Sequence, residues 1–158
     1  MSNKKSSHLD AQGQISMVDV GDKNETGRIA RAAGVLEALP ETVEAIWNRN
    51  LPKGDAITAA KLAGIQAAKQ TSNLIPMCHQ LLLNRVDLQF ERTDRGIGIT
   101  SEVRLTGKTG AEMEALTAVT VAGLTLYDMA KSVQKDMVLS QVHLQYKDGG
   151  KSGRYEKR

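Results

Sequence analysis

The sequence predicts an α+β fold of ferredoxin-like, split βαβ order: a four-stranded antiparallel sheet with helices packed on one face, plus one extra helix. Three observations predict it. Four segments alternate between apolar and polar residues, the period of a half-buried strand. Two segments with helical spacing lie between the first and second of these, each opened by a start signal. One long apolar segment of helical type separates the third from the fourth.

The elements follow in chain order. Residues 1–26 are polar apart from an Ile15-Ser16-Met17-Val18 patch and are expected to form a flexible N-terminal arm, ordered by a substrate or a partner. A first strand is expected at 28–33, where charge and apolar residues alternate. Leu39-Pro40-Glu41-Thr42 starts a helix, because proline at the first helical position has no amide hydrogen to lose. Asp55 caps a second helix whose alanine-rich body runs from Ile57 to Lys69, and Ser72-Asn73 and Pro76 end it. Strands at 84–92 and 97–105 are joined by Asp94-Arg95-Gly96 as a hairpin. A helix over 111–133 follows, then a strand over 138–146, and the tail from Lys147 is loop. The long helix has no wide polar face, so one side should meet the sheet and another a second subunit.

Composition narrows the function classes. The chain has 158 residues, 41% hydrophobic and 25% charged, ordinary for one globular domain. No apolar run reaches the roughly 20 residues of a membrane span, and no apolar stretch follows the N-terminal lysines as in a secretory signal. Cys78 is the single cysteine, so neither an intrachain disulfide nor a multi-thiolate metal site is expected. A cytoplasmic protein with no membrane partner fits these features. The net charge of +3 suits an anionic ligand. Nucleic acid is disfavoured, since Phe90, Trp47 and three tyrosines give bases little to stack on.

Asp128 and Lys131 stand three apart on the long helix, either as a surface ion pair or as an acid/base pair. A lysine acts as a base at neutral pH only when burial or another cation lowers its pKa, and the apolar neighbours of Lys131 favour burial. Glu114 shares their face but lies about 21 Å away along the axis. One small reaction centre within one subunit cannot touch both ends. Gly107-Lys108-Thr109-Gly110 and Gly149-Gly150-Lys151-Ser152-Gly153 both fail the Walker A spacing, yet each offers backbone amides beside a lysine. His79 closes the loop Leu74-Ile75-Pro76-Met77-Cys78-His79; no zinc-ligand spacing and no Ser/His/Asp signature accompanies it.

Long stretches of the chain resemble the MoaC family of molybdenum cofactor biosynthesis. They include Met17-Val18-Asp19-Val20, Lys53-Gly54-Asp55, Ala63-Gly64-Ile65-Gln66-Ala67-Ala68-Lys69 and the 74–79 loop. Leu105 to Gly110, Glu112-Met113-Glu114-Ala115-Leu116-Thr117-Ala118, Tyr127-Asp128-Met129, Val133 to Met137 and Gly149 to Gly153 continue the likeness, which spans about His8 to Gly153. The resemblance implies a lyase that converts 3′,8-cyclo-7,8-dihydroguanosine triphosphate to a cyclic pyranopterin monophosphate and diphosphate, with 27–158 as its single catalytic domain. It implies Asp128 as catalytic aspartate and Lys131 as its partner. Met77, Cys78 and His79 match one substrate-binding loop, and Met113 and Glu114 a second. Lys53, Glu112, Lys147 and Lys151 match further site residues. The resemblance also implies a homo-hexamer, a trimer of dimers with sites between subunits. No cofactor is required by this chemistry and no metal site is expected; a divalent ion such as Mg²⁺ is left open. Gln80 departs from the family's usual proline, which restores an amide donor to the loop. A non-catalytic nucleotide-sensing module is the alternative.

Overall fold

The computed structural model describes residues 8–10 and 12–158. The parts of the expected arm at 1–7 and 11 therefore lie outside the described residues. Nine elements follow one another: β1 (Thr26–Glu37), α1 (Pro40–Trp47), α2 (Ala56–Lys69), α3 (Thr71–Leu74), β2 (Arg85–Thr93), β3 (Gly96–Gly107), α4 (Glu112–Ala130), β4 (Val138–Asp148) and β5 (Tyr155–Glu156).

The sheet is open and antiparallel, in the order β2-β3-β1-β4-β5. Its first four strands have the expected connectivity, but it has five strands rather than four. The tail read as loop returns to pair Tyr155 with Lys147 and Glu156 with Tyr146. Two residues are too few to show an alternation, so β5 is fixed by β4 rather than by its own pattern. The second correction is α3, one turn after α2, where the Thr71 hydroxyl donates back to the Ala67 carbonyl at 3.1 Å. The third is the end of α4, three residues early. Beyond Ala130 the chain tightens into a turn, with Val133 and Gln134 both donating to the Ala130 carbonyl.

Alternation along β1 buries Ala30, Ala32, Gly34 and Leu36 against the helices. On the other face Arg31 pairs with Glu102 of β3 at 2.7 Å. Leu36, Ile46, Leu88, Ile97, Ile99, Val103, Val119 and Leu126 fill the core and are fully buried. Small residues set the spacing between α2 and α4: a Cβ on Gly64 would stand 2.9 Å from the Ala118 carbonyl oxygen and 2.5 Å from Leu88 Cδ2. Asp55 caps α2 as expected, accepting from the Thr58 amide at 3.0 Å and its hydroxyl at 2.8 Å. The Ser101 hydroxyl of β3 donates to the Ala115 carbonyl at 2.8 Å, tying α4 to the sheet.

One face of α4 is buried, at Glu114, Ala115, Ala118, Val119, Ala122, Gly123, Leu126 and Ala130. The opposite face exposes Met113, Leu124 and Asp128. No helix among the described residues is long and apolar enough to cross a membrane.

Candidate active site

Each end of α4 gathers one set of the residues singled out from the sequence. At the C-terminal end, Asp128 Oδ1 accepts from Lys131 Nζ and Oδ2 from Lys53 Nζ, both at 2.7 Å. Lys53 also donates to the Asp128 carbonyl at 3.0 Å. The helix spacing brings Lys131 to Asp128. Lys53 arrives from the turn between α1 and α2, where Leu51 is buried and Gly54 takes φ +91°. Hydrogen bonds first from Lys131 and then from Lys53 hold the Asp128 carboxyl down at about 2. The same bond raises the Lys131 ammonium above its ordinary range.

This corrects the expectation that apolar neighbours bury Lys131 and depress it. Within one subunit its side chain is 52% exposed, beside an Asp128 that is 54% exposed. The buried residues of α4 turn toward the sheet, whereas Lys131 lies in the turn beyond the helix, where its ammonium pairs directly with Asp128. In this arrangement the lysine stays an ammonium ion.

The N-terminal end of α4 forms one wall of a cleft of about 360 Å³. Met77, Cys78 and His79 face Glu112, Met113 and Glu114 across it, with Leu81, Thr109 and Gly110 closing the rim. Glu114 is only 4% exposed. Burial pushes its carboxyl up to about 7, and the neighbouring Glu112 charge adds to the shift. Burial also raises the Cys78 thiol, again with a carboxylate (Glu114) adding to it, so this sulfur is a thiol rather than a nucleophilic thiolate at neutral pH. Lys147 on β4 pairs with Glu112 at 2.7 Å. His79 Nε2 lies 2.8 Å from the Val18 carbonyl oxygen. A carbonyl only accepts, so the ring carries its hydrogen on Nε2. The Lys108 ammonium holds the same N-terminal segment by donating to the Gly21 carbonyl at 2.7 Å.

Ten of the eleven expected site residues thus lie at one end of α4 or the other. Lys131 does so with its protonation preference reversed. Lys151 meets neither set: it is exposed in the turn after β4 and makes no ion pair among the described residues. The two sets are separated by the length of α4, about 21 Å between Glu114 and Asp128. Thr109 and Gly110 of the cleft were foreshadowed by the glycine-lysine turn. The role of Val18 was not, because a backbone carbonyl leaves no trace in residue identity. Among the described residues no group of three or more His, Cys, Asp or Glu side chains could hold a metal ion.

A second groove, of about 320 Å³, lies between Trp47, α2 and β2. Its charged groups are already matched, Arg49 with Asp55 and Lys61 with Asp87, each at 3.2 Å.

Comparison with known proteins agrees with the sequence motifs. The model of the MoaC family matches residues 17–150. The chain is 52% identical over 151 residues to the cyclic pyranopterin monophosphate synthase of Oleidesulfovibrio alaskensis, covering 94% of this chain and 95% of that protein. It is also 52% identical over 149 residues to the molybdenum cofactor biosynthesis bifunctional protein of Chlorobaculum tepidum. That match covers 94% of this chain but 48% of the relative, so the chain spans about half of the bifunctional protein.

Proposed function

This chain belongs to the MoaC family, and from that premise we infer that it is a cyclic pyranopterin monophosphate synthase. It is a lyase of molybdenum cofactor biosynthesis. Its substrate is 3′,8-cyclo-7,8-dihydroguanosine triphosphate, which it rebuilds as a pyranopterin carrying a cyclic phosphate while diphosphate leaves.

The observation that supports this chemistry best is Asp128 held between two ammonium groups. An ionised carboxylate with a pKa near 2 stays charged across the working range and fixes both lysines. Lys131, raised and exposed, gives a proton to the rearranging ring and recovers it later. Lys53 supplies positive charge beside the same centre. At the other end of the helix, Met77, Cys78, His79, Met113 and Glu114 bind substrate. Glu112 and Lys147 form the charged margin of that cleft, and Lys151 supplies a further cation for the phosphates. Charge placed where a leaving diphosphate develops its own is the larger part of such catalysis. These steps are proton and phosphoryl transfers and call for no resident cofactor; a divalent ion such as Mg²⁺ on the triphosphate is compatible with them.

One subunit holds its two sets too far apart for one reaction centre. The site is therefore completed between subunits, in a hexamer built as a trimer of dimers, with the exposed face of α4 turned toward a neighbour. A cytoplasmic setting belongs to the same proposal, as does substrate contact by the N-terminal segment that His79 and Lys108 meet at Val18 and Gly21.

The test is turnover of the cyclised nucleotide, followed by diphosphate release and by the fluorescence of the oxidised pterin. Both products are expected from the wild-type protein and neither from Asp128→Asn or Lys131→Ala, with assembly intact. Binding of the nucleotide without either product would assign the chain to a sensing role instead.

A further inference from the structure

The two glycine-rich turns beside the cleft are held by one side chain. Arg28 lies near the start of β1, the central strand, and both neighbours of β1 run antiparallel to it. Each therefore ends where β1 begins. β3 runs into the turn Gly107-Lys108-Thr109-Gly110, and β4 into the turn that starts at Gly149. The Arg28 guanidinium spans both. Its Nε donates to the Gly107 carbonyl at 3.3 Å and its Nη2 to the Lys108 carbonyl at 3.2 Å. Its Nη1 donates to the Gly149 carbonyl at 3.3 Å.

The glycine pair fits this contact. Gly149 and Gly150 take φ +99° and +78°. A Cβ on Gly150 would stand 1.8 Å from Arg28 Nη1, and one on Gly149 would stand 2.2 Å from the Gly27 carbonyl oxygen. Both positions favour glycine for the backbone angle, and in addition Gly149 makes room for the Gly27 carbonyl and Gly150 for the guanidinium. Around this clamp sit groups that face the cleft. Thr109 and Gly110 line it, and Lys147 reaches Glu112 from the strand that leads into the second turn.

We propose that Arg28 is a positioning residue for substrate binding: its guanidinium joins the two glycine turns into one frame that fixes Thr109, Gly110 and Lys147 relative to the cleft. β3 and β4 each pair with β1 on their own, and this side chain's planar fork joins the two turns that follow them directly. The proposal rests on reading the cleft as the binding end of the site. An ammonium cannot replace the fork, since a point charge cannot meet three carbonyls in one plane.

The test uses the full chain with Arg28→Ala and Arg28→Lys. Both are expected to raise KM for the cyclised nucleotide at least tenfold, with kcat within about threefold, as when binding common to ground and transition states is lost. Guanidinium ion added at millimolar concentration should lower KM of Arg28→Ala toward wild type, and methylammonium should not. Amide hydrogen exchange in the segments 107–110 and 149–153 should speed up at least tenfold in both variants. Unchanged KM with unchanged exchange overturns the proposal, as does a fall in kcat at constant KM. Should Arg28→Ala fail to fold, Arg28→Lys carries the same comparison. Failure of the wild-type protein to turn over the nucleotide instead overturns the enzyme reading, while hydrogen exchange still decides whether the clamp exists.

Discussion

Glu114 shows how position alone misleads. In sequence it is an acidic residue in the first turn of a helix, where carboxylates ordinarily sit in water and favour the helix dipole. In the structure it faces inward, and its carboxyl is raised to about 7. The folded state therefore holds a proton on Glu114 between about pH 4.5 and 7 that the unfolded chain gives up. Stability from this group is greatest at low pH and falls as pH rises through that window. Glu114→Gln should remove that fall. Denaturant unfolding should find the variant and the wild type alike near pH 5. Near pH 8 the variant should be more stable, by on the order of 3 kcal/mol. Equal stabilities at both pH values would place the carboxylate in water. Asp128 lies at the opposite extreme: with its carboxyl at about 2, it stays charged wherever the protein is folded and active. Its pairing with Lys131 was legible because three residues on a helix are neighbours. Lys53 as a third member was not, since it lies 75 positions away in sequence and meets Asp128 only through the packing of α2 on α4.

At the scale of elements, local rules succeeded wherever the signal was local. The Asp55 cap and the Pro40 start of α1 were both readable, because each acts within one helical turn. Asp55→Ala should lower the melting temperature by about 2–4 °C, through lost capping bonds. The Asp55 carboxyl is depressed, first by the Thr58 amide, so this contribution is complete above the ordinary carboxylate range and fades as pH falls through it. The wild-type and variant melting temperatures should accordingly converge in acid. Contacts between elements were less legible. Gly64 reads as a weak point in a helix, yet it is where α2 meets α4. Gly64→Ala gains about 1 kcal/mol of helix propensity. It also presses a methyl against a backbone carbonyl and the fully buried Leu88, a cost of about 1–3 kcal/mol. The clash wins, and calorimetry should find the variant less stable. A more stable variant would mean the two helices can separate without penalty. β5 and α3 escaped sequence reading because two and four residues carry no period.

For the molecule as a whole, the sequence carried one long-range statement: Glu114 and Asp128 lie too far apart along one helix to share a small reaction centre. Helix rise alone established it, and the structure bears it out with a cleft at one end of α4 and the carboxylate between two lysines at the other. In the proposed hexamer the surface that completes the site belongs to a neighbouring subunit, which no local pattern encodes. Complementation addresses it. His79→Ala and Asp128→Asn should each be inactive, but unfolding and refolding them together should restore about a quarter of wild-type turnover. That is the share of interfaces receiving an intact half from each partner. No recovery would place a whole site within one subunit.

The position of β1 also governs how the chain is made. It is the first strand to leave the ribosome and the central one in the sheet, yet one of its two partners, β4, is the last long strand synthesised. Roughly 100 residues separate them, which at 5–20 residues per second is a wait of about 5–20 s. For that time one edge of β1 has no strand to hydrogen-bond to its backbone. The nascent protein therefore cannot complete its sheet from the N-terminal end, and the open edge of its central strand is closed only when β4 emerges.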